Sequence, residues 1–227
     1  MKERPAAKSE VKGNRKPQRR TQEERSQATR IQVCEATLET LYEIGYERTS
    51  TTIIAEKANV SRGALTHQFP TRNELIVAAF QHLIDSWAEV YPLADCYNVE
   101  HLTICEMIDA YWNNIFSNNR YIAALELMLA ARQDNALGRS LRDVMEKWIK
   151  KRDAKTLMQL WGAVDRESDS LYFQLVLSVL RGIAVHQSFD QDESVAPRLL
   201  EMWKRIAHRI EEDPMREELI TGKTSVS

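Results

Sequence analysis

The residues with the most pointed chemistry lie in one short run, Arg62-Gly63-Ala64-Leu65-Thr66-His67-Gln68-Phe69. Leu65 and Phe69 are four apart, share one side of a helix, and with Val60 can plug that helix into a small core. Arg62, Gly63, Thr66 and His67 fall on the opposite side. An arginine at a helix start can pair with the N7 and O6 acceptors of guanine, and a glycine beside it lets backbone approach base edges. Thr66 and His67 suit phosphate oxygens, as do Thr51 and Thr52 at the head of a preceding helix, the capping Ser61 and the cation Arg72. The chemistry available to such a face is recognition of a DNA groove. Acid–base, nucleophilic or metal chemistry has no comparable cluster. His82, His101 and His208 lack ligand spacing with Cys or carboxylates, and no glycine-rich phosphate loop occurs, so no catalytic residue, metal or cofactor is expected.

The elements that must hold this face follow from local pattern. From about Glu23, Ile31, Cys34, Leu38 and Leu41 recur at helical steps, and Gly45 is placed to end the helix in a left-handed conformation. The cluster Thr49-Ser50-Thr51-Thr52 offers caps for a second helix over 51–58. Asn59-Val60-Ser61 then breaks the pattern; Asn59 tolerates positive φ, and Ser61 can cap the helix that starts at Arg62. Pro70 ends it, and Thr71-Arg72-Asn73-Glu74 is a capping box for a fourth helix. Two short helices joined by so tight a turn, the second polar outward, form a helix-turn-helix.

Only 7 Gly and 6 Pro punctuate 227 residues, which favours long helices and an all-α chain. Further helices are expected near 73–91, 99–117, 120–132, 136–161, 170–189 and 195–211. The net charge is only −2, but its distribution is uneven: Lys2, Arg4, Lys8, Lys12, Arg15, Lys16, Arg19 and Arg20 crowd the front, and Glu211, Glu212, Asp213, Glu217 and Glu218 the far end. Residues 1–22 therefore read as a disordered basic arm, 23–72 as the helix-turn-helix domain, 73–212 as a larger helical bundle and 213–227 as a flexible acidic tail. No apolar stretch is long enough to span a bilayer, so no membrane partner is expected. Cys34, Cys96 and Cys105 are too few and scattered for a disulfide framework, which fits a reduced, cytoplasmic setting.

The stretch 171–189 is apolar on two sides, so one side must meet the chain's own core and the other a partner. Leu175, Val179, Gly182 and Ile183, with Leu199, Trp203 and Ile206 on the helix that follows, are the expected interface of a homodimer.

The run from Gly45-Tyr46 through Thr49–Ala55, Ala58–Arg62 and on to Leu75 resembles the DNA-binding domain of TetR-family regulators over roughly residues 24–80. Asn59 stands where the family usually has Gly, Thr66 where it often has Tyr, and Gln68 where it has His before Phe. The resemblance implies a dimer whose last two long helices form a four-helix interface. It also implies a pocket for a small apolar or aromatic ligand, whose occupation moves the fourth helix and releases a repressor from a palindromic double-stranded operator. Met107, Tyr111, Phe116, Met128, Trp148 and Phe173 are candidate pocket residues, although ordinary core packing also calls for them. The alternatives are a helical adaptor, an activator of the same family, and a redox-responsive regulator without a small-molecule inducer.

Overall fold

A computed structural model describes residues 21–94, 101–162 and 166–222. Among them, ten α-helices and no strand are found. The first, α1 (Gln22–Arg48), starts at a capping box: the Thr21 hydroxyl accepts from the Glu24 amide at 3.1 Å, and Glu24 Oε2 accepts from the Thr21 amide at 2.8 Å. Thr21 and Gln22 thus open α1 and do not belong to an arm; residues 1–20 lie outside the described residues. Gly45 interrupts α1 at φ 76°, where a side chain would strain the backbone, and one further turn runs to Arg48.

Next come α2 (Thr51–Lys57), α3 (Arg62–Gln68) and α4 (Arg72–Ala88). Helix α4 buries Leu75, Ile76, Ala79, Phe80, Leu83, Ile84 and Trp87, packing against α1 and, towards its C-terminal end, α7. Each fully buried Leu or Phe contributes roughly 1.5–3 kcal/mol. A boundary at 72/73 falls in the first turn of α4, yet one apolar core runs from Val33 and Leu65 through Phe80 to Tyr111 and Phe173. Helix α4 is therefore the shaft joining the N-terminal helices to the rest.

The remaining helices are α5 (Ile104–Tyr111), α6 (Asn119–Ala130), α7 (Asn135–Trp161), α8 (Glu167–Gln187), α9 (Val195–Glu212) and α10 (Arg216–Thr221). The helix expected over 99–117 begins later, at a Thr103–Glu106 capping box, and widens at Trp112–Phe116 into a π turn closed by Ser117 N–H on the Trp112 carbonyl at 3.0 Å. The acidic tail expected from 213 is also corrected. Arg216 donates to Asp169 at 2.8 Å, and its guanidinium lies 4.9 Å from the Trp161 ring and 5.1 Å from Tyr172. Asp169 is buried, and a buried carboxylate demands a partner, so α10 is docked rather than free.

Candidate nucleic-acid interface

Helices α2 and α3 are held by hydrogen bonds that their sequence dictates. Ser50 caps α2 through the Ile53 amide (3.3 Å), and Ser61 caps α3 through the Ala64 amide (3.1 Å). Between them Asn59 adopts φ 49°, and the Val60 amide reaches back to the Ala55 carbonyl at 3.0 Å. The turn is pinned to α1 by Gln32 Nε2, which donates to the Ala58 carbonyl at 2.7 Å. Leu65 and Phe69 point inward and are buried, with the Arg30 guanidinium 4.6 Å from the Phe69 ring. Gln68 Nε2 donates to Ser26 Oγ at 2.7 Å, a second tie from α3 to α1. Lys57 secures α2 in the same way through Glu43 at 2.7 Å.

Arg62, Gly63, Thr66 and His67 all lie on the exposed side of α3, beside exposed Ser61. Thr51 and Thr52 are half-buried in the first turn of α2. The Thr66 hydroxyl donates to the Arg62 carbonyl at 2.9 Å, so its proton is committed inside the helix and must be released before it can serve a phosphate. A side chain on Gly63 would meet nothing nearer than Ser61 Oγ at 4.0 Å. The fold itself therefore does not require glycine there. Gly63→Ala is expected to leave the protein folded, or to stabilise α3 by up to about 1 kcal/mol, while weakening DNA binding by obstructing close approach. A thermal melt with a DNA titration checks this; unchanged DNA affinity would show that Gly63 does not face the duplex.

Arg72, expected at the DNA, is also engaged within the domain. Its Nε donates to the Thr49 carbonyl at 3.1 Å, its Nη2 to the Tyr46 carbonyl at 2.7 Å, and its guanidinium lies 4.1 Å from the Tyr46 ring. It ties the start of α4 to the end of α1, and two of its N–H donors serve the domain itself.

The sequence model for bacterial regulatory proteins of the tetR family matches residues 33–79, spanning α2, the turn and α3. Beyond that segment, the chain is 30% identical over 190 residues to the HTH-type transcriptional regulator CymR of Pseudomonas putida, covering 78% of this chain and 88% of the relative. The chain belongs to the TetR family. It is accordingly a DNA-binding transcriptional regulator, not an enzyme. The solved structure of a transcriptional regulator from Rhodococcus sp. Rha1 superimposes with TM-score 0.58 at 21% identity, over 79% of this chain and 93% of that one. The multidrug binding protein EbrR complexed with ethidium gives TM-score 0.53 at 19% identity, over 78% of this chain and 98% of that chain.

In this TetR-family chain the residues expected at the dimer interface divide into two groups. Leu175, Gly182 and Ile206 are exposed, and Val179 and Leu199 half-buried. Ile183 and Trp203 are instead 5% and 8% exposed and belong to the protomer's own core. Exposed Leu171 and Met202 extend the outward stripes of α8 and α9 and were missed. Their spacing from Leu175 and Ile206, four residues in each case, was the available signal.

Of the candidate pocket residues, Met107, Tyr111, Phe116, Trp148 and Phe173 are buried and Met128 half-buried. Tyr111 shares a 2.7 Å hydrogen bond with Thr156 and meets Phe173 edge-on at 5.8 Å. Phe116 packs edge-on against Tyr121 at 4.8 Å, and Trp148 lies 5.6 Å from Trp87 of α4. The buried Arg152 beside them was missed, because Lys150-Lys151-Arg152-Asp153 reads as a solvated charge run.

Helix α6 straps α1 to the larger bundle. Glu35 of α1 bonds His82 of α4 at 2.7 Å and Arg120 of α6. Burial pushes the Glu35 carboxyl up, but its bonds to His82 and Arg120 outweigh this and hold it below the usual carboxylate range. At the other end of α6, Glu126 accepts from the Tyr46 amide at 3.4 Å. Burial also pushes the Cys34 thiol up to about 11, with Arg30 opposing and Glu35 reinforcing the shift. A thiol so seldom ionised at neutral pH is a poor redox sensor. Burial likewise raises Cys105; Cys96 lies outside the described residues.

Proposed function

We propose that two copies of this chain pair through the exposed faces of α8 and α9 and set their α3 helices into successive major grooves of a palindromic operator. Such grooves lie about 34–36 Å apart on one face of the duplex. The observation that carries this reading is the outward face of α3: Arg62, Gly63, Thr66 and His67 are all exposed, while every apolar residue needed to anchor the helix is turned inward. Arg62 is the base-reading residue, and the hydroxyls at the heads of α2 and α3 contact phosphates. The protein acts as a repressor, and a small molecule in the bundle releases it by moving α4. The complex of EbrR with ethidium supports small-molecule binding by a protein of this fold.

The test is selection of fragmented genomic DNA on the purified protein, followed by a search for two-fold symmetric sequences. An enriched palindrome supports the reading. No enrichment at low salt from a folded sample would remove the paired reading of a palindrome. At an enriched site, Arg62→Ala should cost about 1–3 kcal/mol and relax preference at one base pair of each half-site. An equal loss on random DNA, measured by parallel titrations, would reassign Arg62 to the phosphates.

A further inference from the structure

Residues 1–20 lie outside the described residues, but the point where they join the fold is described. Helix α1 opens at exposed Thr21, and Ser26, five residues on, accepts the 2.7 Å bond from Gln68 of α3. Arg30, about one turn further, lies over Phe69. At a rise of about 1.5 Å per residue, Thr21 stands about 7.5 Å along the helix axis from the Ser26 contact. The basic segment therefore joins the fold beside the helix that carries Arg62, Gly63, Thr66 and His67.

Charge gives it a task there. Duplex DNA carries one negative charge per about 1.7 Å of its axis, and binding depends on neutralising phosphates with Lys and Arg. Residues 21–72 are poorly equipped for this: Arg25, Arg30, Arg48, Lys57, Arg62 and Arg72 face seven carboxylates. Three of these six cations are already engaged in the domain. Lys57 pairs with Glu39 and Glu43, Arg30 lies over Phe69, and Arg72 serves the Tyr46 and Thr49 carbonyls. The chain beyond residue 20 holds 23 Lys and Arg against 31 Asp and Glu, whereas residues 1–20 hold eight cations against Glu3 and Glu10. The net charge of −2 thus divides into +6 at the front and −8 on the rest. A body of that balance is repelled by a duplex at long range, and the front segment reverses the sign where α3 must land.

We propose that residues 2–20 are a second DNA-binding element, which runs from the start of α1 onto the duplex beside α3 and pairs its Lys and Arg side chains with backbone phosphates. Such contacts carry affinity and not sequence, so Arg62 supplies preference on top of an attraction that the segment provides. The proposal rests on α3 facing DNA and is independent of whether the site is a palindrome.

The test is a salt series of DNA titrations on a labelled random-sequence duplex of about three helical turns, from about 50 to 200 mM salt. In one full-length variant all eight Lys and Arg of residues 1–20 become Gln. Affinity should fall about 100-fold or more, and the slope of log affinity against log salt should become shallower by about three or more. A second variant, Glu3→Lys with Glu10→Lys, should bind more tightly and with a steeper slope. Glu217→Lys with Glu218→Lys makes the same change in formal charge on α10, which packs against α8 and α9, and should have little effect. Unchanged or tighter binding by the Gln variant would overturn the proposal. Equal strengthening by the two Lys pairs would also overturn it, because bulk charge and not contact would then be responsible. Random duplex needs no operator, so a failed search for a palindrome and a failed phosphate contact are told apart.

Discussion

Leu175→Asp is expected to leave each protomer folded, convert the dimer to a monomer and lower operator affinity by at least about 100-fold. Leu175 is 48% exposed on α8, with Leu171 one turn before it and exposed Ser178 and Gly182 further along the same stripe. Exposure means that the protomer loses little packing when the side chain is changed. Pairing would instead bury two carboxylates, one from each copy, against apolar surface with no cation supplied for either, and the two-fold operation doubles every such cost. A lone protomer then holds one half-site without the effective concentration that tethering to a second half-site provides. Sedimentation velocity reads the first effect and a DNA titration the second. A dimer intact in Leu175→Asp and in Val179→Asp would place the interface elsewhere. Ile183→Asp is no substitute, because Ile183 is buried within the protomer and its replacement would unfold the bundle.

Arg72→Ala should lower stability by about 2–4 kcal/mol, from two charge-assisted hydrogen bonds, a stacked ring and two carbonyls left without their donor. The loss would be felt at the joint between α1 and α4, so DNA affinity falls through disorder of that joint. Arg72→Lys should rescue little, because a single ammonium on a flexible stem cannot serve the Tyr46 and Thr49 carbonyls and lie flat on the Tyr46 ring together. Denaturant unfolding of the three proteins separates the cases. A variant with unchanged stability and weakened DNA binding would return Arg72 to the DNA surface.

The sequence by itself determined the helix-turn-helix, because its signals act over three to five residues. Gly45 ends a helix by its freedom at positive φ, Asn59 turns the chain, Ser50 and Ser61 cap through their own hydroxyls, and Leu65 and Phe69 share a face by helical spacing alone. The outward set of Arg62, Gly63, Thr66 and His67 follows from the same period. What the tertiary structure decided involves partners far apart along the chain. Arg72 reads as a surface cation until its bonds 23 and 26 residues back, to Thr49 and Tyr46, are seen. The acidic segment after 212 reads as a free tail until Arg216 meets Asp169, 47 residues away. Arg152 belongs to a charge run in the sequence and to an aromatic core in the fold. Periodicity finds both apolar sides of α8, yet only packing against α9 shows that Ile183 faces inward and Leu175 outward. A local rule can fix the conformation of a residue and its position on a helix, whereas burial and pairing of a charge depend on which distant groups the fold brings beside it.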